Sequence, residues 1–156
     1  SNAKIDTVYT IQTKKEADEL IFETKISVAE KLNKIGEFKI LKIPHIHYEY
    51  SGAIISEDER KHPIEYCQYE ETDVYTIEYN IYLDEAGEIT EIPKDKNLTY
   101  KGHSYVRTYK KIGPKHLRIT VTAKPSVDNI NPEEYKAFQA YVKSILEAKD
   151  EFVGYK

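Results

Sequence analysis

The chain has 156 residues, about one domain by the ordinary size prior. Its 23 Lys plus Arg against 27 Asp plus Glu leave a formal net charge of −4, which argues against a general nucleic-acid binder with its basic excess. One cysteine excludes an internal disulfide and a multi-cysteine metal cluster, and no apolar stretch approaches the ~20 residues needed to cross a bilayer.

In chain order, Ser1-Asn2-Ala3 reads as the scar of a cleaved affinity tag, and the absence of any methionine marks a chain without its native start. Residues 4–36 form an N-terminal segment of ambiguous pattern. Ala17, Leu20, Ile21, Thr24, Val28, Leu32 and Ile35 fit a helical stripe, whereas Leu20, Phe22, Thr24, Ile26 and Val28 fit a strand. The β-branched residues and the turn at Asn33-Lys34-Ile35-Gly36 favour a hairpin over about residues 19–43. Phe38 to Tyr50 is strand-like, with Pro44 at a bulge or edge. Ser56 to His62 is a charged loop ending at Pro63, and Ile64 to Tyr69 reads as another strand.

Val74 to Leu83 alternates most clearly. Tyr75, Ile77, Tyr79, Ile81 and Leu83 share one face, and Thr76, Glu78 and Asn80 the other. Asp84-Glu85-Ala86-Gly87 is a turn, with Gly87 free to take positive φ. A short strand over Glu88 to Ile92 follows, closed by Pro93. Ser104–Lys110 and His116–Ala123 form an antiparallel hairpin punctuated by Gly113-Pro114.

Asn131, Pro132, Glu133 and Glu134 then open a helix, with Tyr135, Phe138, Val142, Ile145 and Leu146 on one stripe and an end near Lys149. Phe152 and Val153 suit a last short strand. Residues 37–156 therefore make a mainly β domain: an antiparallel β-sandwich with a C-terminal amphipathic helix packed on it.

Candidate chemistry is sparse. Cys67 is the lone thiol; a cysteine nucleophile needs an imidazole beside it and a third group to orient that imidazole. On a strand it reads instead as a small buried hydrophobe. His45 and His47, two apart on a strand, point to one side and are the weak candidates for a metal site, with His62, His103, Glu49 or Cys67 as third ligand. Tyr48 and Tyr50, or Tyr66, Tyr69 and Tyr82, suit a stacking surface for sugar rings; otherwise such tyrosines fill the core margin. The glycosylation sequon Asn97-Leu98-Thr99 carries no weight. Glu70-Glu71 and Asp84-Glu85 read as solvated charges. No phosphate-binding glycine loop, Gly-x-Ser-x-Gly elbow or His-Glu-x-x-His helix is present, so no catalytic residue and no cofactor is assigned.

From residue 60 an ordered series of features has a familiar arrangement. It runs through Arg60-Lys61-His62-Pro63-Ile64, the strand Tyr75–Leu83, Glu91-Ile92-Pro93-Lys94, Tyr105, Leu117–Val121, and Ile130-Asn131-Pro132-Glu133-Glu134-Tyr135-Lys136-Ala137-Phe138. The strand Lys39-Ile40-Leu41-Lys42-Ile43-Pro44 precedes it. Over about residues 37–153 the chain resembles the accessory β-rich domain of unknown function that accompanies the transglutaminase-like core of many bacterial surface and periplasmic proteins.

The resemblance implies a non-catalytic accessory domain of a larger extracytoplasmic protein. Its partner would be its own transglutaminase-like core or a protein or cell-envelope partner. Nothing here matches that core's Cys, His and Asp, so none of its catalytic residues is carried over. The alternative is a carbohydrate-binding β-sandwich module using surface tyrosines, and a thiol enzyme using Cys67 stands behind it.

Overall fold

The computed structural model describes residues 3–13, 20–28, 33–43, 50–65, 74–83, 87–126 and 128–156. The described residues divide into two compact units, Ser1–Asn33 and Lys34–Lys156. The first is an antiparallel ribbon of β1 (Ala3–Thr13) and β2 (Leu20–Val28), running from Ala3 opposite Val28 to Thr13 opposite Leu20. Register shifts at Ile5/Thr7 and Thr10/Gln12 mark two irregularities.

This corrects the hairpin expected over residues 19–43. The strand over residues 20–28 exists, but its partner lies upstream in β1, where an eleven-residue strand offers a far longer ladder than the five residues of β4 (Phe38–Lys42). The turn at Gly36, with φ +62°, instead closes a short hairpin between β3 (Asn33–Ile35) and β4.

The second unit carries two four-stranded sheets. One has the order β3-β4-β10-β6, where β6 is Ile89–Glu91 and β10 is Phe152–Tyr155. The last strand is thus central, pairing antiparallel with β4 on one side and β6 on the other. Gly87 is not a positive-φ turn residue. The chain beside it is bonded to the C-terminus, Glu88 N–H to Lys156 O at 2.8 Å and Lys156 N–H to Glu88 O at 3.0 Å. A Cβ on Gly87 would lie 2.6 Å from the Lys156 carbonyl oxygen, so close backbone approach explains this glycine.

The other sheet has the order β5-β9-β8-β7, formed by β5 (Tyr75–Tyr82), β7 (Lys96–Tyr100), β8 (His103–Gly113) and β9 (His116–Lys124). All its neighbours are antiparallel. β5 and the β8–β9 hairpin follow the period-two pattern of their sequences. Leu117, Ile119, Val121 and Ala123 are buried on one face of β9, opposite Ile81, Tyr79, Ile77 and Tyr75 of β5. β7 has too little alternation to be expected. It is joined to β8 by the two-residue turn Lys101-Gly102, both at positive φ (42° and 81°), the geometry whose twist suits a tight hairpin.

Pro132–Glu134 forms one 3-10 turn before the helix α1 (Tyr135–Leu146), which a second 3-10 turn, Glu147–Asp150, continues. Glu134's carboxylate accepts the Asn131 N–H at 3.0 Å, anchoring the start. Of the expected stripe, Tyr135, Phe138, Val142 and Ile145 are buried and Leu146 is half-buried, and Tyr141, outside that stripe, is buried as well. Phe138, Tyr141, Val142 and Ile145 share one core with Tyr105, Leu117, Ile119 and Val121 of the sheet, and with Ile43, Ile89 and Val153. Each such buried side chain is worth roughly 1.5–3 kcal/mol. No helix among the described residues is long and apolar enough to cross a membrane.

Candidate functional site

The sheet face beneath α1 is not uniformly apolar. Toward the helix's N-terminal half, His103 opens β8 and is buried. Its ring lies 5.6 Å from that of Phe138, 6.1 Å from those of Tyr50 and Tyr141, and 6.3 Å from that of Tyr100. Nδ1 of His103 accepts the Ser126 backbone N–H at 3.1 Å and lies 3.2 Å from the Tyr50 hydroxyl. Burial pushes this imidazole down to about 4, against the opposing pull of Asp128. Burial likewise raises the Tyr100 and Tyr141 phenols.

Toward the other end of the helix lies an ionic cluster. Register places Arg107 inward on β8, opposite Val121 of β9 and Lys96 of β7. Its side chain is 1% exposed. Nη1 donates to the Ala148 carbonyl at 3.1 Å and lies 3.8 Å from Glu151. Lys96 Nζ reaches Glu151 at 2.9 Å and the Ser144 carbonyl at 3.5 Å, and the Tyr109 hydroxyl donates to the same carboxylate. Burial, then the bond to Glu151, holds the Tyr109 phenol far above its ordinary value, so it remains a donor. Glu151 is thus held by two cations and a phenol, while the cations also satisfy carbonyls at the negative end of the helix dipole. Chemically this is an anchor that ties helix to sheet through Nη1 of Arg107, Nζ of Lys96 and the Glu151 carboxylate, while Nε and Nη2 of Arg107 are buried without a hydrogen-bond partner among the described residues.

The residues singled out in the sequence are not gathered into one place. His45, His47, Glu49 and Cys67, with Tyr48, Tyr66 and Tyr69, lie outside the described residues. His62 is exposed in the charged loop, His103 is buried in the ring cluster, and His116 lies on the opposite, outward face of the sheet. Among the described residues no group of three or more His, Cys, Asp and Glu is placed to hold a metal ion.

Tyr50, a candidate for a sugar-stacking surface, is instead fully buried, drawn in by ring contacts to Tyr141 at 5.6 Å and His103. Tyr82 is exposed at 65%, with its ring stacked on that of His116 at 4.2 Å. Arg107 and Glu151 were not singled out. The spacing Tyr105-x-Arg107-x-Tyr109 on an alternating strand is the signal that turns Arg107 inward.

These features define a class: a mainly β domain of two antiparallel sheets, closed by a C-terminal helix. Residues 39–153 match the model of DUF3858, a domain of unknown function with a solved structure. The chain belongs to this family. Among curated proteins, none matches it. Its fold is similar to part of a crystal structure from Parabacteroides distasonis ATCC 8503 described as "a putative protease", with a TM-score of 0.57 and 13% identity. The match covers 76% of this chain and 23% of that one, so the present chain spans less than a quarter of that protein's length.

Proposed function

We propose that this chain is a non-catalytic accessory domain of a larger bacterial extracytoplasmic protein, and that it buttresses or positions a core of transglutaminase-like or protease-like type. The observation that carries this reading is the unequal coverage: three quarters of this chain aligns with under a quarter of a longer one. The ionic cluster supports it, because Arg107, Lys96, Tyr109 and Glu151 are engaged with one another and with helix carbonyls. The transglutaminase link and the extracytoplasmic location rest on the ordered resemblance from Arg60 to Phe138.

The test is deletion of residues 34–156 from the parent protein. The remaining core is expected to keep its reaction chemistry while losing thermal stability or its attachment to the envelope. The excised chain alone should turn over neither peptide nor acyl-transfer substrates. A core equally stable and equally placed without the domain overturns the reading, as does turnover by the excised chain.

A further inference from the structure

We propose that His103 is an acid-sensitive latch: as the neutral imidazole it holds α1 and the Tyr50 segment on the sheet, and protonation releases them. The geometry fixes the protonation state. A backbone N–H can only donate, so the Ser126 amide at 3.1 Å requires an unprotonated Nδ1 and places the ring proton on Nε2. Tyr50 Oη lies 3.2 Å from the same nitrogen. A proton on Nδ1 would set donor against donor and place a full charge inside a ring of Tyr50, Tyr100, Phe138 and Tyr141. Those rings come from three separate pieces of the chain, so the imidazole is the point at which β8, β7, α1 and the Tyr50 segment meet.

Among the described residues, the charged and titratable groups around the latch are few. Asp128, in the loop after β9, favours the imidazolium. Tyr50, Tyr100 and Tyr141 present phenols. Lys101, in the turn before β8, is paired with Glu134 at the helix start.

Burial holds the folded-state value at about 4, below the ordinary 6.5. The open state therefore binds the proton first as pH falls. The latch contributes fully above pH 6.5 and is lost progressively as pH drops through 4. Between pH 7 and pH 5, before most carboxylates titrate, the closed-to-open ratio falls about 20-fold.

The experiment is amide hydrogen exchange across residues 50–55 and 135–146 of the whole chain at pH 7 and pH 5, corrected for intrinsic exchange. It is run beside an NMR titration of the His103 ring. Expected are an Nε2–H tautomer at pH 7, a midpoint well below 6.5, and opening that rises about 20-fold on acidification. His103→Asn keeps an acceptor for the Ser126 amide and should lose that pH dependence. Asp128→Asn, at an exposed position, should lower the midpoint further. An ordinary midpoint near 6.5, an unchanged midpoint in Asp128→Asn, or the same acid-induced opening in His103→Asn overturns the proposal. If His103→Asn fails to fold, the ring titration and Asp128→Asn decide it. None of these readouts depends on the accessory role.

Discussion

At the N-terminal half of α1, Phe138 and Tyr141 meet Tyr100 and His103 through ring contacts. At its C-terminal end, the carbonyls of Ser144 and Ala148 meet Lys96 and Arg107, with Glu151 between the two cations. One helix is thus held to one sheet by two kinds of interaction. Ring burial is roughly proportional to area and nearly indifferent to direction. The ionic end demands fixed geometry, because a charge displaced from its partner inside a protein costs several kcal/mol. The difference teaches a division of labour: the aromatic end supplies stability, and the ionic end fixes where along the sheet the helix stops before the chain enters β10.

The largest effect should come from the aromatic end. Phe138→Ala removes a fully buried ring that touches Tyr100, His103 and Tyr141. It is expected to cost about 3–5 kcal/mol, read from the urea midpoint at constant slope. A loss under about 1 kcal/mol, which would suggest a site that collapses freely, breaks the comparison at this end.

The ionic end should respond differently to one change than to two. Glu151→Gln leaves Arg107 and Lys96 facing each other without the carboxylate. A loss of about 1–3 kcal/mol is expected, less than for a wholly buried pair because Glu151 keeps some contact with water. Replacing Arg107 and Glu151 together by Met should recover part of that loss, since the fully buried guanidinium is then gone and only the partly exposed Lys96 lacks its carboxylate. A double-mutant cycle built from Arg107→Met, Glu151→Met and the double variant, followed by urea denaturation, measures the coupling. Additive losses would mean that the cluster fixes nothing and the comparison fails here.

How far the sequence reveals this arrangement depends on which signals are local. β5, the β8–β9 hairpin and α1 carry their own periodicity, and Pro132 with Glu133 and Glu134 marks the helix start. β7 has only Leu98 and Tyr100 as apolar residues, and its strand state comes from pairing with β8. The two-residue Lys101-Gly102 turn was the available signal. β2 was legible as an element but not in its pairing, because partner choice depends on the length and register of another strand. The ionic cluster is the least legible part. Arg107, Lys96 and Glu151 each resemble surface charges, and only the packed tertiary structure shows that a helix end lies above them.

The outer face of the same sheet offers a matched case at the small end of the scale. Tyr82 and His116 stack at 4.2 Å there, whereas Tyr50 and His103 meet in the core with centroids 6.1 Å apart. Residue types are the same; solvent differs. Tyr82 is 65% exposed, so removing its ring uncovers little that was dry and leaves His116 to bond Asn80, whose amide oxygen lies 3.0 Å from Nε2. Tyr82→Ala should therefore change stability by no more than about 0.5 kcal/mol, the range of ordinary surface substitutions. Thermal melts at equal protein concentration measure it. A loss above 1 kcal/mol would mean that ring stacking in water rivals ring burial, and environment would no longer separate the two Tyr–His pairs.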